Sequence, residues 1–342
     1  MHRSVCQNRN RRNYMLNMAI LGCGRIAAIM AQTIGGMKGE VNAYAVAARD
    51  GARAREFAER YHFEKGFGSY EEMLRDPEVD LVYIAVPHSL HALWAGACLH
   101  AGKHVLCEKS FTVNEAEARQ VLELAEKKKL LCTEASWPRY MPSRKMISEL
   151  IESGIIGKVQ TVFASLDYNI TDKERMVRPE LAGGALLDVG VYTLNFASMV
   201  CGDRIRRIAA NCVKYETGVD EKDNIFIEYE DGRMATLYAG MTDCSNRMGV
   251  IGGTDGFIEV DNINNPQEIS VFVQEGNGKR LVKSVRVPEQ ITGYEYEVRS
   301  AIRAIEEGRL ECEEMPHAQT LELMRQMDEC RRQFGLVYPF EQ

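Results

Sequence analysis

The sequence predicts an α/β protein with two domains: a parallel, doubly wound sheet first, then an α+β domain with a mostly antiparallel open sheet. Three observations support this. A short apolar run enters a glycine-rich turn, strands and helices then alternate to residue 135, and short alternating runs broken by Gly and Asp follow. A chain of 342 residues is also too long for one core. We expect domains at residues 15–135 and 136–342, after a stretch at 1–14 that is disordered or lies upstream of the true start.

The first motif is the turn that follows the apolar run at residues 18–21. Gly22 permits a tight turn, Gly24 lets the backbone approach a phosphate, and the small Ala27 lets the next helix pack close to the strand. The free N–H groups at the start of that helix favour a pyrophosphate. Glycine-rich turns are common, so the motif gains weight from the strand–helix pairs after it. It predicts a Rossmann dinucleotide-binding domain, with these residues at the cofactor: Gly22, Gly24, Arg25, Ile26 and Ala27.

Strand–helix alternation then predicts where the ligand lies. A second strand at residues 43–48 leads into a helix, and the near-continuous apolar run at 81–86 is typical of a strand covered on both faces. Further strands are predicted at 103–107 and 130–133. A parallel sheet binds its ligand across the carboxyl ends of its strands. The residues expected at that edge are Arg49, Pro87, Glu108 and Lys109.

The pattern changes after residue 135. Helices are predicted at 143–153 and 184–200, on either side of a strand at 159–167. Short alternating runs predict an antiparallel sheet, at residues 205–214, 224–229, 234–239, 248–251, 257–260 and 269–273. Amphipathic helices are predicted at 294–307 and 318–332. Since no low-complexity linker separates the two parts, we expect them to pack tightly with a cleft between them.

Composition excludes several classes of partner. The net charge of -7 argues against a nucleic-acid surface, and no run approaches the ~20 apolar residues of a membrane span. The ten cysteines form no C-x-x-C pair and no Cys/His cluster at zinc spacing. They are typical of free thiols in a reducing compartment, so we expect a cytoplasmic protein without a structural metal.

Motifs in both parts of the chain, taken in order, resemble the glucose-fructose oxidoreductase/inositol dehydrogenase family, and especially its dihydrodiol dehydrogenase and NADP-linked D-xylose dehydrogenase branch. The resemblance runs from about residue 16 to residue 340. It implies a Rossmann domain followed by an α/β domain whose open sheet often forms a dimer interface. The motifs are GCGRIA at 22–27, VPHSLH at 86–91, GKHVLCEK at 102–109, EASWPRYMP at 134–142, GGALLDVGVY at 183–192 and GYEYE at 293–297.

In that family the positions of Lys109, Asp188 and Tyr192 form the catalytic cluster, so the resemblance implies the same roles here. Taken alone, a Lys at a strand end is as well explained as a solvated charge, and an Asp and a Tyr at i and i+4 of a helix are often structural. A neighbouring ammonium lowers the pKa of a phenol. We therefore expect Tyr192 to shuttle the proton, Lys109 to polarise the substrate oxygen and tune Tyr192, and Asp188 to orient either Lys109 or a neighbouring hydroxyl group.

Two positions depart from the family pattern. Ser110 stands where the family has Pro after the Lys, which removes a backbone constraint, and His88 replaces a frequent Asn. We expect His88 and His91 at the nicotinamide end of the cleft, although a histidine at a helix start is as often structural. Trp137 is expected to wall the substrate pocket, and Arg139 either contacts substrate or holds the domain junction. The substrate-binding set is thus Lys109, Trp137, Arg139, Asp188 and Tyr192, with the loop at residues 168–181 shaping the pocket.

The end of the second strand predicts the cofactor. An NAD site usually places an Asp or Glu there, about 20 residues after the glycine turn. Here Ala48 occupies that position and Arg49 follows, whose guanidinium can pair with a 2′-phosphate. Asp50 is either a ribose acid, which favours NAD, or the N-cap of the next helix. Relatives with Arg after this strand mostly use NADP, so we expect NADP rather than NAD.

The sequence therefore favours an enzyme that moves hydride between a nicotinamide and a secondary alcohol or ketone carbon of a sugar, cyclic polyol or trans-dihydrodiol. The alternative is a sensor or regulatory partner protein that binds the dinucleotide without turnover. Ser110 favours the alternative, whereas the joint presence of Lys109, Asp188 and Tyr192 favours the enzyme. The expected partners are a small-molecule substrate and a second copy of the chain, as a homodimer or a larger homo-oligomer.

Overall fold

The computed structural model describes residues 15–341, so the predicted extension at 1–14 lies outside the described residues. The strands of the first domain are β1 (Asn17–Leu21), β2 (Asn42–Ala47), β3 (Lys65–Phe67), β4 (Leu81–Ile84), β5 (His104–Glu108) and β6 (Cys132–Ala135). They form a parallel sheet, called sheet A, in the order β3-β2-β1-β4-β5-β6. The strand order reverses between β1 and β4, and this is where such sheets bind ligands.

Helices cover sheet A, and the predicted Rossmann architecture is confirmed. The helices are α1 (Arg25–Gly36), α2 (Gly51–Tyr61), α3 (Tyr70–Arg75), α4 (His91–His100) and α5 (Glu115–Lys128). Every residue of β1 and β4 is buried, as expected for apolar strands covered on both faces. The short edge strand β3 was not predicted, because three residues carry no detectable alternation.

The second domain contains eight strands, and the predicted mostly antiparallel sheet is also confirmed. They are β7 (Val159–Asp167), β8 (Ile205–Lys214), β9 (Asp220–Tyr229), β10 (Met234–Gly240), β11 (Gly249–Gly253), β12 (Gly256–Val260), β13 (Glu268–Glu275) and β14 (Gly278–Arg286). The order in this sheet, called sheet B, is β14-β13-β12-β11-β7-β10-β9-β8, with β7 and β10 parallel. The edge strand β14 was not predicted, because it is rich in exposed Lys and Arg.

One face of sheet B is covered and joined to the first domain. The remaining helices are α6 (Pro142–Glu152), α7 (Glu174–Val177), α8 (Val191–Cys201), α9 (Glu295–Glu306) and α10 (His317–Phe334). α8 packs on β7 and β10, while α10 packs on β8 and also on α5 of the first domain. The Cys132 N–H donates to the Leu310 carbonyl over 3.1 Å. These contacts tie the last helices of the chain to sheet A.

The predicted helix at residues 184–200 is wrong in one respect that affects the site. Leu186–Gly190 form a π-helical turn, and α8 begins only at Val191. Such turns are rare and are frequently found at functional sites. Asp188 lies in the π turn and Tyr192 in α8, so the plain i, i+4 spacing of an α-helix does not relate them.

Among the described residues, Pro179–Cys201 is a helical stretch long and apolar enough to cross a membrane, which the sequence analysis did not expect. Of its most apolar window, 89% is buried inside the protein. A helix that is hydrophobic all round suits a protein core. The composition of this stretch is therefore explained by its position between sheet B and the first domain.

The two glycines of the first turn should respond differently to an added methyl group. Gly22 has a φ of +116°, and a Cβ there would lie 2.5 Å from the Ala85 carbonyl oxygen, so Gly22→Ala should lower the free energy of unfolding by about 1–3 kcal/mol. Gly24→Ala is the matched control, since no described heavy atom lies within 4 Å of its ideal Cβ. Urea unfolding measures both, and equal destabilisation would contradict this account.

Candidate active site

A cavity of about 750 Å³ lies between the carboxyl edge of sheet A and the second domain. The first domain contributes the glycine turn, the end of β4 and the end of β5. The second domain contributes the loop between β7 and α8, the π turn and the start of α8. The structure thereby brings together these predicted residues: Gly24, Arg25, Ile26, Pro87, Glu108, Lys109, Asp188 and Tyr192.

The glycine-turn end of the cavity fits a dinucleotide pyrophosphate. No side chain of a described residue caps the N–H groups at the start of α1. A Cβ at Gly24 would enter open space where a phosphate needs to approach. Gly22 and Ala27 act behind this surface, because the Gly22 N–H donates to the Ala47 carbonyl over 2.9 Å and Ala27 is buried. They shape the turn and do not line the cavity.

The end of β2 shows which of the two interpretations of Asp50 holds. The Asp50 carboxylate accepts the N–H groups of Ala52 at 2.8 Å and Arg53 at 3.4 Å, so Asp50 is the N-cap of α2. Arg49 is exposed beside it and does not line the cavity. Arg53, which the sequence analysis missed, donates to the Cys23 carbonyl over 2.8 Å. Two guanidinium groups thus stand near the outer side of the glycine turn.

At the centre of the cavity, Lys109 and Asp188 join the two domains. Lys109 Nζ donates to the Asp188 carbonyl oxygen at 2.6 Å and to Asp188 Oδ1 at 2.9 Å. Arg175 donates two hydrogen bonds to the same carboxylate, of 2.8 and 3.2 Å. Burial raises the pKa of Asp188, but Lys109 and Arg175 outweigh it and hold the pKa well below its usual value. Asp188 therefore stays charged between two cations.

Arg175 is the main residue that the sequence analysis missed. It lies in the loop at residues 168–181, which the sequence identified only as a pocket wall, and its side chain is 41% exposed. A lone Arg in a charged loop has no spacing rule that links it to an Asp thirteen residues later. The segment KERMVR at residues 173–178 contains three cations among six residues, and this local positive charge was the one feature of the sequence that could have indicated a role for Arg175.

Tyr192 is buried with its hydroxyl group held from one side. The indole N–H of Trp137 donates to the Tyr192 oxygen over 3.2 Å, and Trp137 stacks on Tyr294 at 4.5 Å between ring centroids. Lys109 Nζ lies 5.0 Å from the centroid of the Tyr192 ring, over its face. Burial raises the pKa of Tyr192 well above its usual value. Desolvation dominates, so this pKa is raised overall and is not lowered as the sequence predicted.

The two histidines of the 86–91 motif have different places. His88 lines the cavity, with Nε2 4.0 Å from Asp188 Oδ1, and burial lowers its pKa to about 3. His91 lies behind the cavity wall, with its ring nitrogens 2.8 Å from the Ser110 carbonyl and 2.9 Å from the Val86 carbonyl. The expectation that His91 contacts the cofactor is therefore not supported, since its ring braces two loops instead.

Arg139 has only one of the two roles expected for it. Its buried guanidinium donates to Asn195 Oδ1 and to Ser198 Oγ, both on α8, and it does not line the cavity. Arg139 therefore holds the domain junction, which was the second of its two expected roles. Trp137 likewise lies outside the cavity lining and acts on it through Tyr192.

The departure at Ser110 leaves Lys109 well placed. The Lys109–Ser110 peptide bond is cis, and Ser110 Oγ donates to the Leu187 carbonyl over 2.8 Å. The side chain thus links the first domain to the π turn next to Asp188. Beside it, Glu108 is buried against the hydroxyl of Tyr83, and burial raises the pKa of Glu108 to about 7.

Two family models match the chain, and both agree with this geometry. One is described as an oxidoreductase family with an NAD-binding Rossmann fold and matches residues 16–136. The other is the GFO/IDH/MocA C-terminal domain and matches residues 145–259. Together they cover more than half of the chain, and the family that the sequence motifs resemble is confirmed.

Relatives and solved structures agree. The chain is 34% identical over 299 residues to trans-1,2-dihydrobenzene-1,2-diol dehydrogenase of Xenopus laevis, covering 86% of this chain and 90% of the relative. The Mus musculus enzyme of the same name is 30% identical over 336 residues, with 95% and 98% covered.

In fold, the chain matches a 3-ketoreductase from Actinomadura kijaniata in complex with NADP and TDP-benzene, with a TM-score of 0.84, 24% identity, and 94% and 98% covered. It also matches levoglucosan dehydrogenase in complex with NADH and levoglucosan, with a TM-score of 0.84, 19% identity, and 94% and 97% covered. These two structures support the fold, and the relatives named as dehydrogenases confirm the prediction of an NAD(P)-dependent dehydrogenase. The chain belongs to the GFO/IDH/MocA family of NAD(P)-dependent oxidoreductases.

Proposed function

We propose that this protein transfers hydride between a nicotinamide and a secondary alcohol or ketone carbon of a sugar, cyclic polyol or trans-dihydrodiol. The observation that supports this most is that Tyr192, Lys109 and Asp188 share one cavity with the open start of α1. The nicotinamide supplies or accepts the hydride at its C4. Relatives named as dihydrobenzenediol and levoglucosan dehydrogenases support a cyclic substrate with hydroxyl groups.

Tyr192 is suited to move the proton that accompanies the hydride. An indole N–H can only donate, so Trp137 occupies a lone pair of the Tyr192 oxygen and leaves the phenol hydrogen for the cavity. Because burial keeps the phenol protonated, Tyr192 can give this proton to a substrate carbonyl oxygen in reduction. In oxidation Tyr192 must first lose its proton, and the resulting phenolate oxygen then takes the proton from the substrate alcohol.

Lys109 and Asp188 would prepare the charge that this step needs. Two of the three ammonium N–H groups of Lys109 bond to Asp188, which leaves one for the substrate oxygen. A fixed cation at that oxygen stabilises the alkoxide character that develops as hydride moves. Arg175 shares the Asp188 carboxylate, so the negative charge of Asp188 is divided between two cations. Asp188 acts by orienting both cations.

Replacing Tyr192 by Phe should lower turnover by about 10²- to 10⁴-fold, the loss typical of a missing acid–base group. Cofactor affinity should stay near that of the wild type, because the phenol lies on the substrate side. Steady-state kinetics at 340 nm with a panel of polyols and diols measures turnover, and protein fluorescence measures cofactor binding. Tyr61→Phe, on α2 and outside the cavity, is the control; unchanged turnover in Tyr192→Phe would remove Tyr192 from the mechanism.

We also propose that NADP is preferred over NAD. Asp50 caps α2 through Oδ1, which makes its carboxylate a weaker acceptor for the ribose 2′-OH. Arg49 and Arg53 stand close enough to Tyr70 to influence its hydroxyl electrostatically, which gathers positive charge at the end of β2. A 2′-phosphate with two charges suits such a pair of guanidinium groups.

Arg49→Ala should weaken NADP binding by about ten- to a hundredfold and leave NAD binding unchanged, since a charge-assisted hydrogen bond to phosphate is lost. Dissociation constants for both cofactors, measured by titration calorimetry, provide the comparison. Arg60→Ala is the control, because Arg60 is exposed at the other end of α2 and pairs with Glu56. An equal loss for both cofactors, or tighter NAD binding by the wild type, would contradict the proposal.

Assembly as a homodimer through the open face of sheet B is a further part of the proposal. On β7, Val162, Ala164 and Leu166 face the helices, whereas Phe163 is 49% exposed on the opposite face. Cross-strand pairing places a group of apolar side chains on that open face: Phe163, Phe226, Val250, Phe257, Phe272 and Leu281. A patch of this kind is typical of a protein interface.

Light scattering at micromolar concentration should give twice the chain mass of 38.6 kDa for the wild type. Phe163→Glu should shift the protein towards the monomer, because a carboxylate cannot be buried unpaired in an apolar interface. Leu93→Glu is the control, since Leu93 is 61% exposed on α4 of the first domain. A wild type found only as a monomer would end this proposal.

A reducing, cytoplasmic location is proposed on the state of the cysteines. All nine cysteines among residues 15–341 are free thiols, including the exposed Cys244. Unpaired thiols of this number are usual where glutathione and thioredoxin keep cysteines reduced.

A further inference from the structure

A buried pair of carboxyl groups lies behind the π turn, in a place that the proposed mechanism does not use. Asp220 begins β9 and Asp223 follows three residues later, and both are fully buried. Residues three apart on a regular strand face opposite ways. Here Lys214 pairs with Asp220 while Val213 pairs with Lys222, so Glu221 is an extra residue in a β-bulge. The bulge turns both carboxyl groups to the covered face of sheet B.

Asp220 caps the segment that carries the catalytic residues. Its Oδ2 accepts the N–H of Leu186 at 2.5 Å, and the Ala185 N–H also bonds to this carboxylate. The π turn that starts at Leu186 has no side-chain cap of its own. The first N–H groups of a helical segment need acceptors, and a negative charge is favourable there. Gly184, with a φ of +119°, allows this approach, since a Cβ there would collide with Asp220 Oδ1.

Asp223 has no conventional partner in the described part of the chain. No described residue donates a hydrogen bond to either Asp223 oxygen or to Asp220 Oδ1. The two side chains are nevertheless within hydrogen-bonding reach of each other. Two bare carboxylates would leave three buried acceptor oxygens facing one another without a donor. One proton between them makes one Asp223 oxygen a donor to Asp220 Oδ1, and it leaves the other Asp223 oxygen as a neutral carbonyl, which costs less to bury than a carboxylate oxygen.

Among the described residues, no cation forms an ion pair with either carboxyl group. Lys214 lies opposite Asp220 on β8, but its ammonium donates to the Gly335 carbonyl over 3.1 Å. The titratable side chains that sense its charge come from β8, β10, α10 and the segment after α10, and they are Cys212, Tyr238, Cys330 and Tyr338. Burial raises the pKa of each of these thiols and phenols, so all four are neutral near pH 7. The Arg331 guanidinium lies over the face of the Tyr338 ring, 5.1 Å from its centroid, and donates a hydrogen bond to Glu341 rather than to the carboxyl pair.

We propose that Asp223 and Asp220 share one proton and form a buried clasp that positions the π turn, and through it Asp188 and Tyr192. The neutral Asp223 donates to Asp220, which keeps its negative charge for the N–H groups of Ala185 and Leu186. Both are positioning residues, since neither lines the cavity. Their effect on turnover rests on the proposed function, whereas their effect on folding does not.

The clasp makes stability depend on pH in a definite direction. Burial and the neighbouring Asp220 raise the pKa of Asp223 well above its usual value. An unfolded Asp loses its proton near pH ~3.9, while the folded protein retains it, so the folded state binds more protons above that pH. The stabilisation is complete below the unfolded pKa and is lost progressively as the pH rises towards the raised pKa.

Asp223→Asn tests this, because an amide N–H₂ can donate to Asp220 at every pH. The difference between its melting temperature and that of the wild type, both measured without cofactor, should increase in favour of the variant by roughly 2 to 8 °C as the pH rises from about 5 to about 9. Its turnover should also fall less than that of the wild type at the alkaline end. Asp223→Leu cannot donate a hydrogen bond, so it should be less stable than the wild type at all pH values. Its turnover number should fall by a larger factor than its Michaelis constant changes.

Glu230→Gln is the matched control, since Glu230 is an exposed carboxylate directly after β9. The difference in melting temperature between Glu230→Gln and the wild type should stay the same at every pH. A pH-independent difference for Asp223→Asn would overturn the clasp, even if Asp223→Leu fails to fold. The melting temperature of Asp223→Asn could instead gain on the wild type as the pH rises while Tyr192→Phe keeps full turnover. That pair of results would support the clasp and reject the proposed function.

Discussion

Asp188 carries a buried carboxylate that Lys109 approaches from the end of β5 and Arg175 from the short helix α7. Removing one cation would leave a charge in the protein interior with weakened compensation, which is costly. The carboxylate therefore fixes the distance between the two domains at the point where they form the cavity. The cavity shape and the direction of the Lys109 ammonium both follow from this contact.

The chemistry of Tyr192 depends on the same neighbourhood in a different way. Its phenol is desolvated, and the Trp137 indole N–H determines which side of the oxygen is free. Trp137 is in turn held by stacking on Tyr294, just before α9. Trp137 and Tyr294 thus orient one hydroxyl group from two other parts of the chain. The proposed acid–base group lies in the second domain, whereas the glycine turn proposed to hold the dinucleotide lies in the first.

Much of the fold could be predicted because its causes are local. Buried parallel strands are apolar throughout, and a glycine at positive φ marks the turn after β1. Where the cause was not local, prediction failed. Arg139 and His91 carry polar groups like those of site residues, yet their partners, on α8 and in the loops beside β4 and β5, lie behind the cavity. Arg175 was missed because only folding brings its loop to Asp188.

The sequence by itself determined the family, the two sheets, and the strand-end residues Glu108 and Lys109, because these follow from periodicity and from motifs of adjacent residues. Tertiary structure alone decided which charges are paired. It paired Asp188 with Lys109 and Arg175, turned Asp220 and Asp223 to one face of sheet B through a bulge, and replaced an α-helical turn by a π turn at Asp188. The physical reason is that burial and charge pairing depend on distances between segments that are far apart along the chain.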